Sequence, residues 1–509
     1  MKISIQLFAT IFILTCHYAF PYTLIAQDGS LDSTFGVNGV VYTYINTEFA
    51  GSSIVKQNDG KFVVAGNNQF TSGFVLLRYN ANGTTDSTFG KDGRIWHSHG
   101  SSNSLAIQKD GKIISVGTDI NDFAEAHIII FRYDTNGIQD PTFGINGKVI
   151  TSINGDNLYG QSLGIQNDGK IVITGLLSNN PYHFIGLVRY KTNGSLDSTF
   201  GKDGIVLFNM EFAFTTSLTI QDDNKILVAG TTFGLHSDFT LIRLNTNGAL
   251  DKSFGINGIV ITSIGNDRDG TESVVYLNDG KILVAGCTIS PDKYNDFALV
   301  RYNSNGNLDS TFGINGKVYT DLSMSNDNAY SMTILSDDKI ILSGNSYNST
   351  YGISFISLLR YNKDGSLDST FDNDGILLST LVSNGKFLTI KQNDEKIVGF
   401  GTSSQGNIVL ARFKNSITFV LSTKEVKHSE IKIYPNPLST ITTIHSDEIL
   451  DDASLSINNI YGQEVKEINH ISGHTFTFHR DNLQTGLYFL LLKQDNKIIS
   501  TNNKLVIID

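Results

Sequence analysis

The chain has 509 residues, a formal net charge of −11 at pH 7, 40% hydrophobic residues and 10% aromatic residues. This composition predicts two or three packed domains and argues against a disordered chain. The acidic charge excludes a nucleic-acid or anionic-membrane partner, because either would need a basic face. Cys16 and Cys287 are the two cysteines, so no disulfide framework is expected.

Residues 1–26 have the pattern of a secretory signal peptide. They contain Lys2, an apolar stretch around Ile11–Leu14 and an end suited to cleavage near Ala26. Cys16 leaves open the alternative of a lipoprotein cysteine. No later segment approaches the ~20 apolar residues that span a bilayer, so the sequence predicts an exported protein.

A phrase of the form Asp-Ser-Thr-Phe-Gly-x-x-Gly recurs seven times. Its phenylalanine returns every 54 to 59 residues. Self-similarity at such a period indicates an array or ring of one supersecondary unit, which cannot bury its apolar face alone. The seven phenylalanines are Phe35, Phe89, Phe143, Phe200, Phe254, Phe312 and Phe371.

Each unit contains four short runs rich in Val, Ile, Thr, Tyr and Phe, which is typical of strands. Asp-Gly joins the first two runs and Asn-Gly joins the last two, and both dipeptides favour tight hairpins. Four antiparallel strands repeated seven times predict an all-β fold, a seven-bladed β-propeller followed by a small C-terminal β-sandwich.

The unit also resembles the delta-60 repeat family. Leu196–Gly201, Gln166–Gly175 and Phe297–Tyr302 match three segments of that family's blade pattern. The resemblance covers about residues 29–413 and implies the propeller fold. It implies no activity, because propellers host many unrelated functions. We therefore assign residues 27–413 to the propeller.

An Arg precedes each Asp of the phrase by eight residues, which suggests either an ion pair that staples adjacent strands or a ring of metal or catalytic carboxylates. One Asp per unit in the same context favours the structural Arg–Asp staple. The predicted pairs are Arg78 and Asp86, Arg132 and Asp140, Arg189 and Asp197, Arg243 and Asp251, Arg301 and Asp309, and Arg360 and Asp368.

The two ends of the repeat region are complementary. The first unit begins with Asp32 but has no preceding Arg, and the last ends at Arg412 with no following Asp. We therefore predict that residues 31–44 complete the seventh blade against Ile408–Phe413, with Arg412 paired to Asp32. Residues 417–421 are the competing candidate for that outer strand.

Length variation between units falls in two connections that emerge on one face of a propeller, and loops on a rigid scaffold commonly bind ligands. Candidate ligand-binding residues on this variable face are Trp96, His97, His99, Tyr159 and Tyr330. Aromatic rings of this kind suit carbohydrate or protein contacts. The alternative is that they only pack within the fold.

Asp267, Asp269 and Glu272 resemble part of a calcium loop but lack its full ladder of alternating ligands. They are the only metal candidate that we derive, and no motif indicates a cofactor. No catalytic motif nominates a nucleophile or an acid–base pair, so the catalytic residues, if any, are unknown.

After Arg412 the repeat stops. We assign residues 414–428 to a linker and residues 429–509 to a small β-sandwich with alternating apolar runs. Its motifs are Tyr434-Pro435-Asn436-Pro437, a middle segment with Gly462, and a closing segment with Gly486 and Tyr488.

These three ordered motifs resemble the type A sorting domain of the type IX secretion system. The resemblance implies export across two membranes, with the secretion machinery and its surface peptidase as partners. It also implies that the cargo is released or attached to surface lipopolysaccharide. The alternative is a carbohydrate-binding or spacer sandwich.

Two functions fit this sequence. The first is a secreted or cell-surface binding or scaffold propeller that contacts a glycan or protein through its variable face. The second is an extracellular hydrolase or lyase that uses the propeller channel. An enzyme should gather ionisable side chains at one end of the channel in departure from sevenfold regularity. The sequence shows no such cluster, which favours binding.

Overall fold

The computed structural model describes residues 28–45, 49–68, 73–120, 125–153, 156–179, 182–208, 213–232, 236–265, 268–289, 293–322, 325–348, 353–381, 384–403, 405–415, 431–459, 464–494 and 497–508. The predicted signal peptide and residues 417–421 lie outside these ranges. The chain separates into two compact units at residues 417 and 418. No helix among the described residues is long and apolar enough to cross a membrane.

The first unit is a β-propeller of seven four-stranded antiparallel sheets, as predicted. Blade 1 contains β2 (Phe49–Lys56), β3 (Phe62–Asn68), β4 (Phe74–Tyr79) and β5 (Arg94–His97). Blade 2 contains β6 (Ser104–Ile107), β7 (Ile113–Ile120), β8 (Ala126–Tyr133) and β9 (Lys148–Thr151). Blade 3 contains β10 (Asn157–Ile165), β11 (Ile171–Asn179), β12 (Tyr182–Tyr190) and β13 (Ile205–Phe208).

Blade 4 contains β14 (Ala213–Ile220), β15 (Ile226–Thr232), β16 (Phe239–Leu244) and β17 (Ile259–Thr262). Blade 5 contains β18 (Asp269–Tyr276), β19 (Ile282–Ile289), β20 (Asn295–Tyr302) and β21 (Lys317–Thr320). Blade 6 contains β22 (Ser325–Ile334), β23 (Ile340–Asn348), β24 (Ile353–Tyr361) and β25 (Ile376–Ser379). Blade 7 contains β26 (Asn384–Lys391), β27 (Ile397–Thr402), β28 (Ile408–Phe413) and β1 (Val40–Thr43).

Burial follows the order of the strands within a blade. The middle strands are buried along their length, as in β4 and β28, because both of their faces pack against neighbouring blades. The outer strands are less buried, and β5 alternates between exposed and partly buried residues. The apolar cores therefore lie between blades, which explains why a single repeat cannot be stable alone.

Each predicted Arg–Asp staple is an ion pair in the structure. In the six pairs within one phrase, the Arg Nε lies 2.7–2.9 Å from an Asp oxygen. The guanidinium lies 4.3–4.9 Å from the centre of the phrase's Phe ring. A Lys from the second strand approaches the same carboxylate, as Lys61 does at 2.9 Å from Asp86.

These carboxylates are ionised, and their oxygens are paired with Arg, Lys and hydroxyl side chains. Burial alone would raise the pKa of Asp197, but hydrogen bonds from Thr199 and the charge of Arg189 outweigh it and lower the pKa to about 2. The Thr199 hydroxyl donates to the second carboxylate oxygen at 2.8 Å. The arrangement accounts for the recurring Asp without a metal or catalytic role.

The same arginines fasten each blade to the next. The Nη1 of Arg78 donates to the carbonyl of Thr135 in blade 2, and the Nη1 of Arg189 donates to the carbonyl of Thr246 in blade 4. Each guanidinium therefore joins its own Asp, its own Phe and the neighbouring turn. This explains the constant spacing from Arg to Asp and Phe, because an insertion would misplace one of the three contacts.

The ring is closed by the two ends of the repeat region, as the sequence predicts. β1 pairs with β28 in antiparallel register, from Val40 opposite Ala411 to Thr43 opposite Ile408. An Nη2 to Oδ2 distance of 2.9 Å joins Arg412 to Asp32. The paired strand is shorter than the predicted 31–44, because residues 32–39 form the turn of the phrase.

The chain ends also replace the missing turn of blade 7. Where other arginines meet a turn carbonyl, the Nη1 of Arg360 donates to Asp28 Oδ2 at 2.8 Å and to Asn415 Oδ1 at 2.6 Å. Residues 387 positions apart in the sequence thus share one buried guanidinium. Closure of the ring therefore depends on residues from both ends of the repeat region.

The second unit is a five-stranded sheet around its own core. Its strands are β29 (Ile431–Tyr434), β30 (Ile441–Asn458), β31 (Glu464–His479), β32 (Gly486–Gln494) and β33 (Lys497–Ile507). Irregular register between His445 and Leu455 interrupts the pairing of β30 with β31. Both halves of these long strands contribute to one apolar core, which includes Ile444, Leu455 and Phe478.

We predict that removing residues 27–45 destabilises the propeller, because Arg412 loses Asp32, Arg360 loses Asp28 and β28 becomes an open edge. Leaving a buried charge without its partner typically costs ~3–5 kcal/mol. The measurement is the unfolding midpoint in denaturant, with removal of residues 429–509 as the control deletion. An unchanged midpoint in the first deletion would contradict this closure.

Candidate functional site

The candidate ligand-binding residues of the variable face do not gather in one site. Trp96 and His97 are consecutive on β5, so their side chains lie on opposite faces of the sheet. Trp96 is 46% exposed. His97 stacks on Phe74 at a centroid distance of 4.6 Å and packs at a tilt against Phe131 at 4.2 Å, and its Nε2 lies 2.8 Å from the Tyr133 hydroxyl. His97 therefore packs between blades 1 and 2, whereas His99 is exposed.

The calcium candidates are also separated. The Asp269 carboxylate accepts hydrogen bonds from the Ile264 amide and the Thr288 hydroxyl, each at 2.6 Å. Glu272 instead bonds to Lys386 of another blade. Asp267 lies outside the described residues. Asp269 and Glu272 therefore have different partners and do not share a loop site.

A different acidic group appears between blades 5 and 6. One carboxylate oxygen from each of Asp296, Asp321 and Asp327 lies within 4.8 Å of the others. Burial raises the pKa of Asp327 to about 6, and its carboxylate accepts a hydrogen bond from the Leu322 amide at 3.0 Å. Asp269 binds the corresponding amide one blade earlier, which indicates a loop-capping role for Asp327.

The inner strand of each blade carries an extra residue that faces the central channel. In blades 1, 3, 4, 5 and 6 a β-bulge interrupts the pairing of the first two strands one residue before a serine. Asn103 holds the same position in blade 2, and Lys386 lies within a longer bulge in blade 7. The channel-facing residues are Ser52, Asn103, Gln161, Thr216, Glu272, Tyr330 and Lys386.

These seven residues, one from each blade, line a cavity of about 610 Å³ together with neighbouring residues of the inner strands. Most of the lining side chains carry hydroxyl or amide groups. Among the described lining residues, the ionisable ones are Glu272, Tyr330 and Lys386. Tyr159 lies two residues before Gln161 on β10 and is half-buried, but it is not part of this lining.

The serines after the bulges join adjacent blades. The Ser53 hydroxyl accepts a hydrogen bond from the Leu105 amide at 3.0 Å, and the Ser162 hydroxyl accepts one from the Leu218 amide at 3.2 Å. Ser217 and Ser331 accept equivalent bonds from the following blade. The serine is therefore structural, and the residue before it is the variable one.

In blades 1 to 4 the channel residue also contacts the next blade. Ser52 donates to the carbonyl of Ser102, and the Asn103 amide donates to the carbonyl of Gly160 at 2.8 Å. Gln161 accepts from the Thr215 hydroxyl at 3.3 Å. The Thr216 hydroxyl lies 3.3 Å from the Thr271 hydroxyl, so all four side chains help to hold the inner strands together.

Blades 5 to 7 depart from this pattern. Lys386 Nζ lies 2.7 Å from Glu272 Oε2 and 5.2 Å from the centre of the Tyr330 ring. Burial, and then the nearby Glu272 charge, raises the pKa of Tyr330 to about 12. We call Glu272, Tyr330 and Lys386 the channel cluster.

The expectation that no ionisable cluster departs from sevenfold regularity is therefore wrong. Glu272 and Tyr330 were singled out in the sequence for other reasons, and Lys386 was missed. The variable residue before each recurring serine is the signal that points to six of the seven channel positions. In blade 7 Leu388 replaces the serine, and the residue before it, Phe387, is buried.

The sorting motif of the second unit serves mainly to fix its own fold. The Asn436 side chain donates to the carbonyl of Lys504 at 2.7 Å and accepts from the amide of Val506 at 2.8 Å. Tyr488 donates to the carbonyl of Gln484 at 2.8 Å. Tyr434 is 82% exposed. Pro435 and Pro437 are also exposed, Gly486 begins β32, and Gly462 lies outside the described residues.

Family models match both parts of the chain. Residues 57–89, 108–143, 166–200, 221–254, 277–312 and 335–371 match the "Domain of unknown function (DUF5122) beta-propeller". Residues 432–508 match the "Secretion system C-terminal sorting domain". Both resemblances drawn from the sequence are thereby confirmed. The search of curated proteins gave no match.

Solved structures resemble the propeller at low sequence identity. A catalytically inactive virginiamycin B lyase from Staphylococcus aureus is 14% identical, covering 74% of this chain and 99% of that one with a TM-score of 0.45. The polysaccharide lyase Uly1 is 12% identical, covering 78% and 94% with a TM-score of 0.43. PorZ, a surface component of the type IX secretion system of Porphyromonas gingivalis, is 8% identical, covering 94% and 87% with a TM-score of 0.22. Similarities at this level say nothing about the activity of this chain.

We predict that His97→Ala destabilises the propeller by about 0.5–3 kcal/mol, whereas Trp96→Ala, the control, changes stability little. Burial, and then the charge of Lys148, lowers the pKa of His97 to about 4. As the pH falls below 6.5, His97 becomes protonated in the unfolded chain but stays neutral in the folded chain. The contribution of neutral His97 to the free energy of unfolding is therefore complete above pH 6.5 and is lost as the pH falls toward 4. Unfolding midpoints at pH 7 and pH 5 measure both effects; equal losses for the two variants would contradict them.

We also predict that deleting residues 429–509 leaves a folded propeller in the periplasm, because the second unit has its own core and carries the sorting domain. The measurement is cell fractionation with limited proteolysis, with the full chain processed in parallel. Surface delivery of the truncated protein would contradict this prediction.

Proposed function

We propose that this chain, a secreted protein with a DUF5122 β-propeller repeat region and a type IX sorting domain, binds a glycan in the central channel of its propeller. The sorting domain delivers the protein through the type IX machinery to the cell surface or the extracellular space. Processing by the surface peptidase and attachment to lipopolysaccharide are further parts of this proposal.

The observation that carries the proposal is the pattern of variation within the repeat. The staple recurs in every blade and the serine recurs in blades 1 to 6, because each joins neighbouring blades. The residue before the serine differs in each of these six blades, from Ser52 to Tyr330, and lines the shared cavity. A position whose residue type the frame does not dictate and that faces a cavity suits ligand recognition.

The chemistry of the lining favours a saccharide. Ser, Thr, Asn and Gln side chains both donate and accept hydrogen bonds, as sugar hydroxyls do. The half-buried Tyr330 adds a ring on which a sugar can stack. The cavity volume of about 610 Å³ lies within the range of small-molecule sites. A protein partner would instead need a broad interface outside the channel.

The same lining favours binding over hydrolysis or elimination. Glycoside hydrolysis generally uses a pair of carboxylates, whereas Glu272 is the single carboxylate among the described lining residues. A lyase needs a base, but burial and the Glu272 charge raise the pKa of Tyr330, and Glu272 itself is engaged in an ion pair with Lys386. Enzymatic use of the channel is therefore the less favoured alternative.

The test is a glycan array probed with the full chain from residue 27, followed by titration of the best ligand. We predict that Tyr330→Ala weakens binding by about tenfold, equivalent to ~1.4 kcal/mol, because the ligand loses its stacking surface. Trp96→Ala, on the outermost strand of blade 1, is the matched aromatic control and should bind as the wild type does. Binding that follows Trp96 and ignores Tyr330, or no glycan binding at all, would overturn the proposed function.

A further inference from the structure

We infer that Glu272 and Tyr330 form a subsite for an ammonium group and that Lys386 occupies this subsite as an internal ligand. This inference rests on the proposed function and names the ligand class more closely. A ligand that carries a primary amine on a polyhydroxylated frame, an amino sugar, would displace Lys386 and take its two partners.

The geometry of the channel cluster is that of a bound ammonium. Lys386 Nζ contacts the Glu272 carboxylate at 2.7 Å and lies 5.2 Å from the centre of the Tyr330 ring. A carboxylate beside an aromatic face attracts an ammonium through both charge and the ring quadrupole. The three residues come from blades 5, 6 and 7, so the pocket is made by the ring and not by one blade.

Lys386 reaches this pocket through a local departure of blade 7. The bulge between Asn384 and Leu388 is longer than those of the other blades. Phe387, which stands where the other blades place their channel residue, is fully buried and covers Gly399 of its own blade, where an added Cβ would lie 2.1 Å from the Phe387 ring. Lys386 points into the channel instead.

The internal ligand is easily displaced. The Lys386 and Glu272 side chains are 47% and 29% exposed, and ion pairs this exposed contribute little to stability. Lys386 can therefore swing into solvent when a better-placed ammonium arrives. The neighbouring Gln161, Thr216 and Ser331 side chains offer hydrogen bonds that the sugar hydroxyls would add.

Charge favours an amine over an acidic ligand. The protein carries a net charge of −11, and an anionic sugar in this sector would face Glu272. An N-acetylated sugar keeps the hydroxyl frame but carries a neutral acetamido group in place of the ammonium. The pair of amino and N-acetylated sugars therefore separates recognition of the ammonium from recognition of the hydroxyl frame.

The experiment is calorimetric titration of the full chain from residue 27 with a glucosamine tetrasaccharide and with its N-acetylated counterpart, at a pH where the amines are protonated. We expect the wild type to prefer the amino form by about tenfold. Glu272→Gln should abolish that preference, because the carboxylate that pairs with the ammonium loses its charge. Lys386→Met should tighten binding of the amino form by about three- to tenfold, because the internal competitor is gone.

Lys363→Met is the matched control, since it removes an exposed ion pair of 2.6 Å with Asp338 away from the channel lining; it should change neither affinity. Weaker amino-sugar binding in Lys386→Met overturns the inference. Equal binding of both sugars, or binding of other glycans but not the amino sugar, also overturns it and leaves the proposed function standing. Failure of every glycan on the array to bind overturns the proposed function itself.

Discussion

Each blade contains an ion pair between the Arg and the Asp of the repeat, with the guanidinium beside the recurring Phe ring. The rest of the structure depends on this interaction. A planar guanidinium presents several donors in a fixed fork, so one Arg can hold its own Asp and reach the turn of the next blade. Because no blade buries its faces alone, this link decides whether seven sheets form a ring. The closure by Asp28, Asp32 and Asn415 repeats the same contacts with side chains from both chain ends.

The staples lie near the tight turns, and their regularity leaves the other end of each inner strand free to vary. In blades 1, 3, 4 and 6 the serine after the bulge maintains the hydrogen bonds between blades. The bulged residue therefore need not be the same in every blade. Blades 1 to 4 use that residue for further contacts with the next blade. Blades 5 to 7 place Glu272, Tyr330 and Lys386 there, and these side chains give the channel its chemical identity.

Much of the propeller scaffold was predictable from the sequence, because the residues that build it recur at constant short spacings. The period gave seven blades, and the constant distance from Arg to Asp predicted contacts that the structure shows in every blade. The channel cluster was not predicted, because Glu272 and Lys386 lie 114 residues apart and meet only across the closed ring. The exchange of Phe387 for Lys386 depends on packing over Gly399. The separation of Trp96 from His97 follows from strand pairing that the loop assignment overlooked.

The central claim is that the frame and the recognition surface are carried by different residues. The most direct measurement is the thermal unfolding midpoint of a variant with Glu272→Ser and Lys386→Ser, compared with that of Arg189→Met. Our account predicts a nearly unchanged midpoint for the first protein and a large decrease for the second. A channel variant that unfolds as early as the staple variant would show that the cluster holds the ring together, and would contradict the account.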